Sequence, residues 1–352
     1  LPERWAILEP YWNAAKNTGY CRSISIAARE LYGIDKISRE TIEELNVRFM
    51  AARKPGHFQK ALKEKAGIKT SLVDSFNPLI PCDKSFFTPV FRLDLYRGLV
   101  SKNSKRMFEE LNGSPPAGFD SWLEATEKAI DTALAGGCAA LKIGDAYQRP
   151  LYYTDTPAAE AKAEYSRFRA SAQPDDFAFS EDFQNCMTRF VLKLASERGM
   201  TVQIHTGLQE GNGNLLRNSD PALLNNLFMD FPGVNFDIFH MGYPFEHTLS
   251  ALAKNFANVN IDMCWAHIIS PAASVSALYE WLDSVPANKI SAFGGDYCFV
   301  DGVVGHSRIA RQNVSRTLAL KVLEGVFGLD EAKEIAQMLF VQNPERIFKL
   351  GH

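Results

Sequence analysis

Apolar and polar positions follow two different rhythms along this chain. Over the first 66 residues the spacing is helical. Ile24, Ala27, Ala28, Leu31 and Tyr32 recur on one face, Gly33 stops that helix, and 38–52 supplies another. Beyond them, short apolar runs appear at 68–76, 89–96, 139–144, 202–205, 234–240, 259–263 and 290–294. Amphipathic stretches at 121–135, 181–198 and 221–230 separate several of these runs. Buried strands alternating with helices predict an α/β fold built on a parallel sheet. The closing stretch, 313–350, reads as helical and is expected to pack outside the sheet.

Seven strands are one short of a (β/α)8 TIM barrel, so the first strand is expected upstream of Leu1, within roughly 40 additional residues. On this reading 1–352 is a single barrel domain. Residues 1–66 form a helical N-terminal insertion, 67–312 carry barrel strands two to eight, and 313–352 are C-terminal helices. An open doubly wound sheet would require a glycine-rich loop after its first strand, and DSFNPL at 74–79 is not one. Residues 297–306 are expected as an irregular loop at the barrel mouth.

Composition narrows the function classes. The net charge is −3, and the 38 lysines and arginines are scattered, which argues against nucleic acid as a partner. The six cysteines form no CxxC pair, so neither a thiolate metal site nor a disulfide framework is expected, and a reducing, cytoplasmic setting follows. No run of about 18 apolar residues predicts a membrane span. The expected partner is a small-molecule substrate, and homo-oligomerisation is left open.

The candidate chemistry lies where strands end. His205 leaves the run 202–204 and is followed by Thr206, Gly207 and a polar loop at 209–214. His240 holds the same relative place before Met241, Gly242, Tyr243 and Pro244, and Asp296 follows Gly294 and Gly295. Singly, each reads as readily as a structural residue. Strand ends of a closed parallel barrel converge at one mouth, and two imidazoles with a carboxylate suit a divalent cation, Zn²⁺ first and Mn²⁺ or Fe²⁺ as alternatives. Such an ion lowers the pKa of bound water from about 15.7 to about 7. Asp296 would serve as ligand and proton carrier, His205 as ligand, and His240 as ligand or carbonyl-polarising electrophile.

Other residues are placed around this centre. Lys142 lies on the run 139–144 and Tyr147 and Arg149 follow it, Arg149 offering a planar fork suited to a substrate carboxylate. Gln203 shares the face of His205, and Arg92 and Asp94 share a face of 89–96. Trp265 and Asp262 end the strand at 259–263, and Tyr243 adjoins His240. Lys142, Tyr147, Arg149, Gln203, Arg92, Trp265 and Tyr243 are the candidate substrate contacts. His267 and His306 are expected in mouth loops, with His57 and His247 on the surface or on helices.

The runs VQIHTGLQEGNGN (202–214), FHMGYPFEHTLSALAKNFANVNIDMCW (239–265) and FGGDY (293–297) resemble the amidohydrolase-related branch of the amidohydrolase superfamily. These are metal-dependent (β/α)8 barrels that include hydrolases, decarboxylases and, more distantly, uronate isomerases. The resemblance is strongest over 141–299. It implies that His205, His240 and Asp296 are the histidines of the fifth and sixth strands and the acid of the eighth. Some members carry a metal-bridging lysine on the fourth strand, where Lys142 stands. One departure matters: the family's first strand ends in a metal-binding HxH pair, and no HxH occurs in this sequence. The resulting expectation is a metal-dependent hydrolase that directs metal-activated water at a small carbonyl-type substrate. A metal-dependent decarboxylase or uronate-type isomerase is the first alternative, and a metal-free binding protein the second.

Overall fold

The computed structural model describes residues 1–98, 104–113, 116–170 and 179–351. Its sheet follows the chain: β1 (Ser71–Ser75), β2 (Phe87–Arg92), β3 (Ala140–Ile143), β4 (Thr201–Ile204), β5 (Asn235–Ile238), β6 (Val259–Asp262) and β7 (Ile290–Ser291) are hydrogen-bonded in that order. Sequential order is that of a (β/α)8 barrel and excludes a doubly wound sheet, whose order reverses at a switch point. The contacts divide the chain into two compact units, Leu1–Ser71 with Asp262–Gln342, and Leu72–Ile261 with Asn343–His352.

In the second unit, β2 to β6 pair in parallel and in register. Phe91, Leu141, Val202, Phe236 and Val259 form one line across them, and Arg92, Lys142, Gln203, Asp237 and Asn260 form the next. Cross-strand partners share a face and successive residues alternate, so one face is apolar and the other polar along these lines. Nearly every residue of β3 to β6 is buried, as expected of a sheet covered on both sides. The helices Phe119–Ala135 and Glu181–Glu197 supply part of that cover through an aromatic cluster of Trp122, Tyr165, Phe179 and Phe183. Ser180 caps the second of them by accepting the Phe183 N–H at 3.3 Å. Ile347 and Phe348 pack with Val90 and Ala140, so the end of the chain joins this core.

A buried charge pair ties the same unit together. Arg97, fully buried, donates through Nη1 to Asp145 Oδ2 at 2.7 Å and Thr188 Oγ1 at 2.9 Å, and through Nη2 to Asp94 Oδ1 at 3.1 Å. Tyr153 donates to Asp145 Oδ2 at 2.7 Å. Burial works against the Arg97 charge, but Asp145, Tyr153 and Asp94 together more than offset it and hold the guanidinium protonated.

The first unit bears out the helical reading of the N-terminal segment, with helices Pro2–Ala15, Gly19–Tyr32 and Ile42–Ala52. Trp5, Ala28, Leu31, Tyr32, Ile34 and Val304 share a core. A Cβ on Gly305 would fall 1.8 Å from Ser23 O, so glycine is required where the helices Gly19–Tyr32 and Val300–Leu323 touch. Asp301 fastens the contact, accepting from Tyr32 Oη at 2.5 Å and facing His57 Nε2 at 2.5 Å.

Three expectations are corrected. The strand expected at 89–96 ends at Arg92, and Asp94–Arg97 is a 3₁₀ turn, so Asp94 is not on a strand face. The Asp94 carboxylate accepts from Gly144 N–H at 3.3 Å as well as from Arg97, competing with ladder pairing. The loop expected at 297–306 is helical from Val300, because Asp301 is held by Tyr32 and His57 in the first turn. The C-terminal helical run is interrupted between Leu323 and Leu329.

Replacing Arg97 with Met should leave Asp145 buried without its counter-charge and cost about 3–5 kcal/mol. Urea unfolding at pH 7 measures it.

Candidate metal centre

The exit of β4 is built from short-range contacts. His205 N–H donates to Ile143 O at 3.0 Å, extending the ladder one residue past the strand, and Thr206 Oγ1 donates to Phe239 O at 2.7 Å. Gly207 has a φ of 71°, and a Cβ there would lie 2.4 Å from Tyr243 O. Only glycine lets the 205–208 turn lie on the 240–243 turn. Leu208 N–H completes the contact to Tyr243 O at 2.7 Å.

That contact sets the histidines side by side. His205 Nε2 lies 3.0 Å from Leu208 O, and since a carbonyl only accepts, Nε2 carries the proton. Its Nδ1 is therefore a lone pair, and it faces His240 Nε2 at 3.0 Å. The ring centroids are 4.4 Å apart at 66°. Both rings are buried, and His240 and Met241 have φ values of 64° and 61°, a left-handed conformation that side chains adopt only where the surroundings impose it. Burial, then the charges of His240 and Lys142, drive the His205 pKa well below the usual histidine range, with Arg92 adding to them. The imidazole is held neutral, the state that ligates metals.

Several expected neighbours are at hand. The Tyr147 ring lies 4.8 Å from that of His205, and its hydroxyl accepts the Glu210 N–H at 3.2 Å. Lys142, almost fully buried, sets Nζ 3.0 Å from the centre of the Phe239 ring. Gln203 Nε2 donates to Asp237 Oδ2 at 3.1 Å. Arg92 donates through Nε to Asp74 Oδ2 at 2.8 Å and lies 3.8 Å from Asp94. Tyr243, half-buried, follows the histidine turn and precedes a cis peptide to Pro244. Arg149 is different. Its guanidinium donates to the carbonyls of Pro150, Tyr152 and Glu181 and to the side chains of Gln184 and Asn185, the work of a buried clamp.

Asp296, Trp265, His267 and His306 belong to the first unit. Asp296 is exposed with a φ of 53°, and Trp265 is buried with a φ of 66°. His267 and His306 are corrections: both are fully buried on helices, Ala266–Ile269 and Val300–Leu323, and neither lies in a mouth loop. His57, expected on the surface or a helix, is half-buried against Asp301.

Two nitrogens on one zinc-like ion, each about 2.0–2.1 Å from it, are at most about 4 Å apart, so the 3.0 Å between His205 Nδ1 and His240 Nε2 fits a shared cation. Among the described residues no cluster of three or more His, Cys, Asp or Glu side chains suited to a metal is present. The pair is thus a two-nitrogen fit.

Comparison with known proteins places the chain. The amidohydrolase family model matches residues 110–350, and the chain belongs to that family. It is 28% identical over 151 residues to the protein fluG of Emericella nidulans, a match covering 43% of this chain and 17% of that protein. The chain thus aligns with less than a fifth of the relative's length. Among solved structures, it resembles the uronate isomerase of Thermotoga maritima with a TM-score of 0.80 at 15% identity, covering 99% of this chain and 82% of that one. The glucuronate isomerase of Caulobacter crescentus gives 0.77 at 18%, covering 100% and 79%. At these identities the likeness establishes the (β/α)8 fold. Among the described residues no helix is long and apolar enough to cross a membrane.

Asp237 went unnoticed in the sequence, although its signal was present: Asn235 and Asp237 alternate with Phe236 and Ile238 in a strand. The buried environment of His267 and His306 had no such signal, because it depends on what the helix Val300–Leu323 packs against.

Burial holds the His267 pKa down at about 4 and that of His306 at about 3, against about 6.5 unfolded. Both rings fold neutral, so their contribution is complete above pH 6.5 and is lost as pH falls toward 4 and then 3. Unfolding free energy should drop by about 2 kcal/mol per ring between pH 7 and pH 5, and His306→Asn should remove about half of that combined drop in chemical denaturation at the two pH values.

Proposed function

We propose that this protein is a metal-dependent enzyme that hydrolyses a small carbonyl-type substrate, with His205 and His240 as nitrogen ligands of one divalent cation, most readily Zn²⁺. The observation that carries the reading is the 3.0 Å approach of two buried ring nitrogens, one of them an assigned lone pair. Membership in the amidohydrolase family supports it. When bound, the ion supplies Lewis acidity and water whose pKa falls to about 7.

The chain's own residues do the rest. The Leu208 carbonyl fixes the His205 tautomer so that Nδ1 is the donor atom, while Lys142 and Arg92 disfavour its protonation. The proton now shared on the His205–His240 contact would be displaced by a cation held by the two rings. Asp296, assigned by its motif alone, would be a further ligand and would hold or release a proton at its carboxylate. Lys142, Arg92, Gln203, Tyr147 and Tyr243 orient the substrate, with Trp265 as a candidate wall. Arg149 is a structural clamp by its contacts.

Isomerisation or decarboxylation at the same pair is the second reading, favoured by fold likeness to two sugar-acid isomerases over nearly the whole chain. Uronates, lactones, amides and carboxylated aromatics assayed in H₂¹⁸O separate the readings, since only hydrolysis leaves label in the acyl product.

Metal analysis of the purified protein should find a near-stoichiometric divalent ion that His205→Ala or His240→Ala loses. Asp296→Asn should lower turnover about 100-fold or more while circular dichroism stays unchanged. Full turnover in that variant would remove Asp296 from the chemistry, and a metal-free wild type would favour a binding protein.

A further inference from the structure

Four carbonyls at the exit of β7 are each held by a donor from the same unit. Ser291 O accepts from Met263 N–H at 2.9 Å and Gly294 O from Trp265 N–H at 3.0 Å. Ala292 O faces His267 Nε2 at 2.8 Å, and Gly295 O faces His306 Nδ1 at 3.3 Å. Carbonyls only accept, so each imidazole must carry its proton on the facing nitrogen. The next residue after these contacts is Asp296, held with a φ of 53°. A left-handed side-chain residue persists where its surroundings over-determine the backbone, and this segment is restrained before and at its glycine pair.

The tautomers are set by the packing. Asn313 Nδ2 lies 3.2 Å from His267 Nδ1, so the amide donates there and leaves the His267 proton on Nε2, aimed at Ala292. His306 Nε2 is buried and, among the described residues, has no hydrogen-bond partner, consistent with one proton on Nδ1. His306 and Asn313 are seven residues apart on the helix Val300–Leu323, two turns along one face. One helix face thus acts on the segment directly through His306 and indirectly through His267.

We propose that His267 and His306 are positioning residues that aim the Asp296 carboxylate by gripping the Ala292 and Gly295 carbonyls, with Asn313 selecting the His267 tautomer. The inference rests on the reading of Asp296 as a metal ligand. Neither histidine touches the substrate or the cation; each acts through main chain.

Zinc titration of the full chain, with zinc alone as probe, tests the grip through the position of the donor nitrogen. At 306, Asn keeps an N–H near the Nδ1 position and Gln moves it outward; at 267, Gln keeps one near Nε2 and Asn withdraws it. His306→Gln and His267→Asn should weaken zinc binding by about 10–100-fold, whereas His306→Asn and His267→Gln recover most of it. The losses should track donor position and not thermal midpoint, a split that a merely structural role would not produce. Asn313→Leu should weaken binding in the same direction and serves if a histidine variant does not fold. If donor-keeping and donor-shifting variants bind zinc alike while Asp296→Asn weakens it, the grip is disproved and the metal reading stands. If Asp296→Asn itself binds zinc as wild type does, the premise and the inference fall together.

Discussion

The register of parallel strands is the constraint from which the candidate centre follows. From β2 to β6 each strand aligns one apolar residue and then one polar residue with its neighbours. The two-residue period sends the line of Phe91, Leu141, Val202, Phe236 and Val259 to one face and that of Arg92, Lys142, Gln203, Asp237 and Asn260 to the other. His205 stands two residues past Gln203, on the polar side. A slip of one residue in β4 would send it to the opposite face. The position of the imidazole is thus a consequence of apolar packing on the other face.

What makes the histidine pair chemically specific is the turn geometry beyond the strands. The 205–208 turn can lie on the 240–243 turn only because Gly207 has no side chain, and the left-handed His240 brings its ring to the lone pair of His205. The Leu208 carbonyl then decides which nitrogen of His205 is free to bind. Burial and neighbouring positive charge remove the competing proton. Backbone, tautomer and electrostatics therefore converge on one state of one ring.

The N-terminal helical segment is part of a unit with its own core. Tyr32 and His57 meet Asp301, Glu30 meets Arg308, and Gly305 admits the Ser23 carbonyl. These contacts lie along the helix Val300–Leu323, which also carries His306 and Asn313. A segment that reads in isolation as an added helical piece is thereby coupled to the helix that restrains the strand exit before Asp296.

By itself the sequence determined the period of each segment, and with it the fold class. Short apolar runs such as 139–144 and 202–205 read as buried strands, and Ala27, Ala28, Leu31 and Tyr32 read as the packed side of a helix, whereas Ile24 at the start of that face is exposed. His205 and His240 were legible because each follows an apolar run and precedes a glycine-containing turn. Long-range packing decided the rest. The sequence could not reveal that Arg149 would be surrounded by five acceptors, that Asp94 would leave its strand for Arg97 and Gly144, or that 300–306 would coil into a helix around Asp301. Each outcome depends on groups dozens to hundreds of residues away, and a local pattern records only what a residue prefers before its partners arrive.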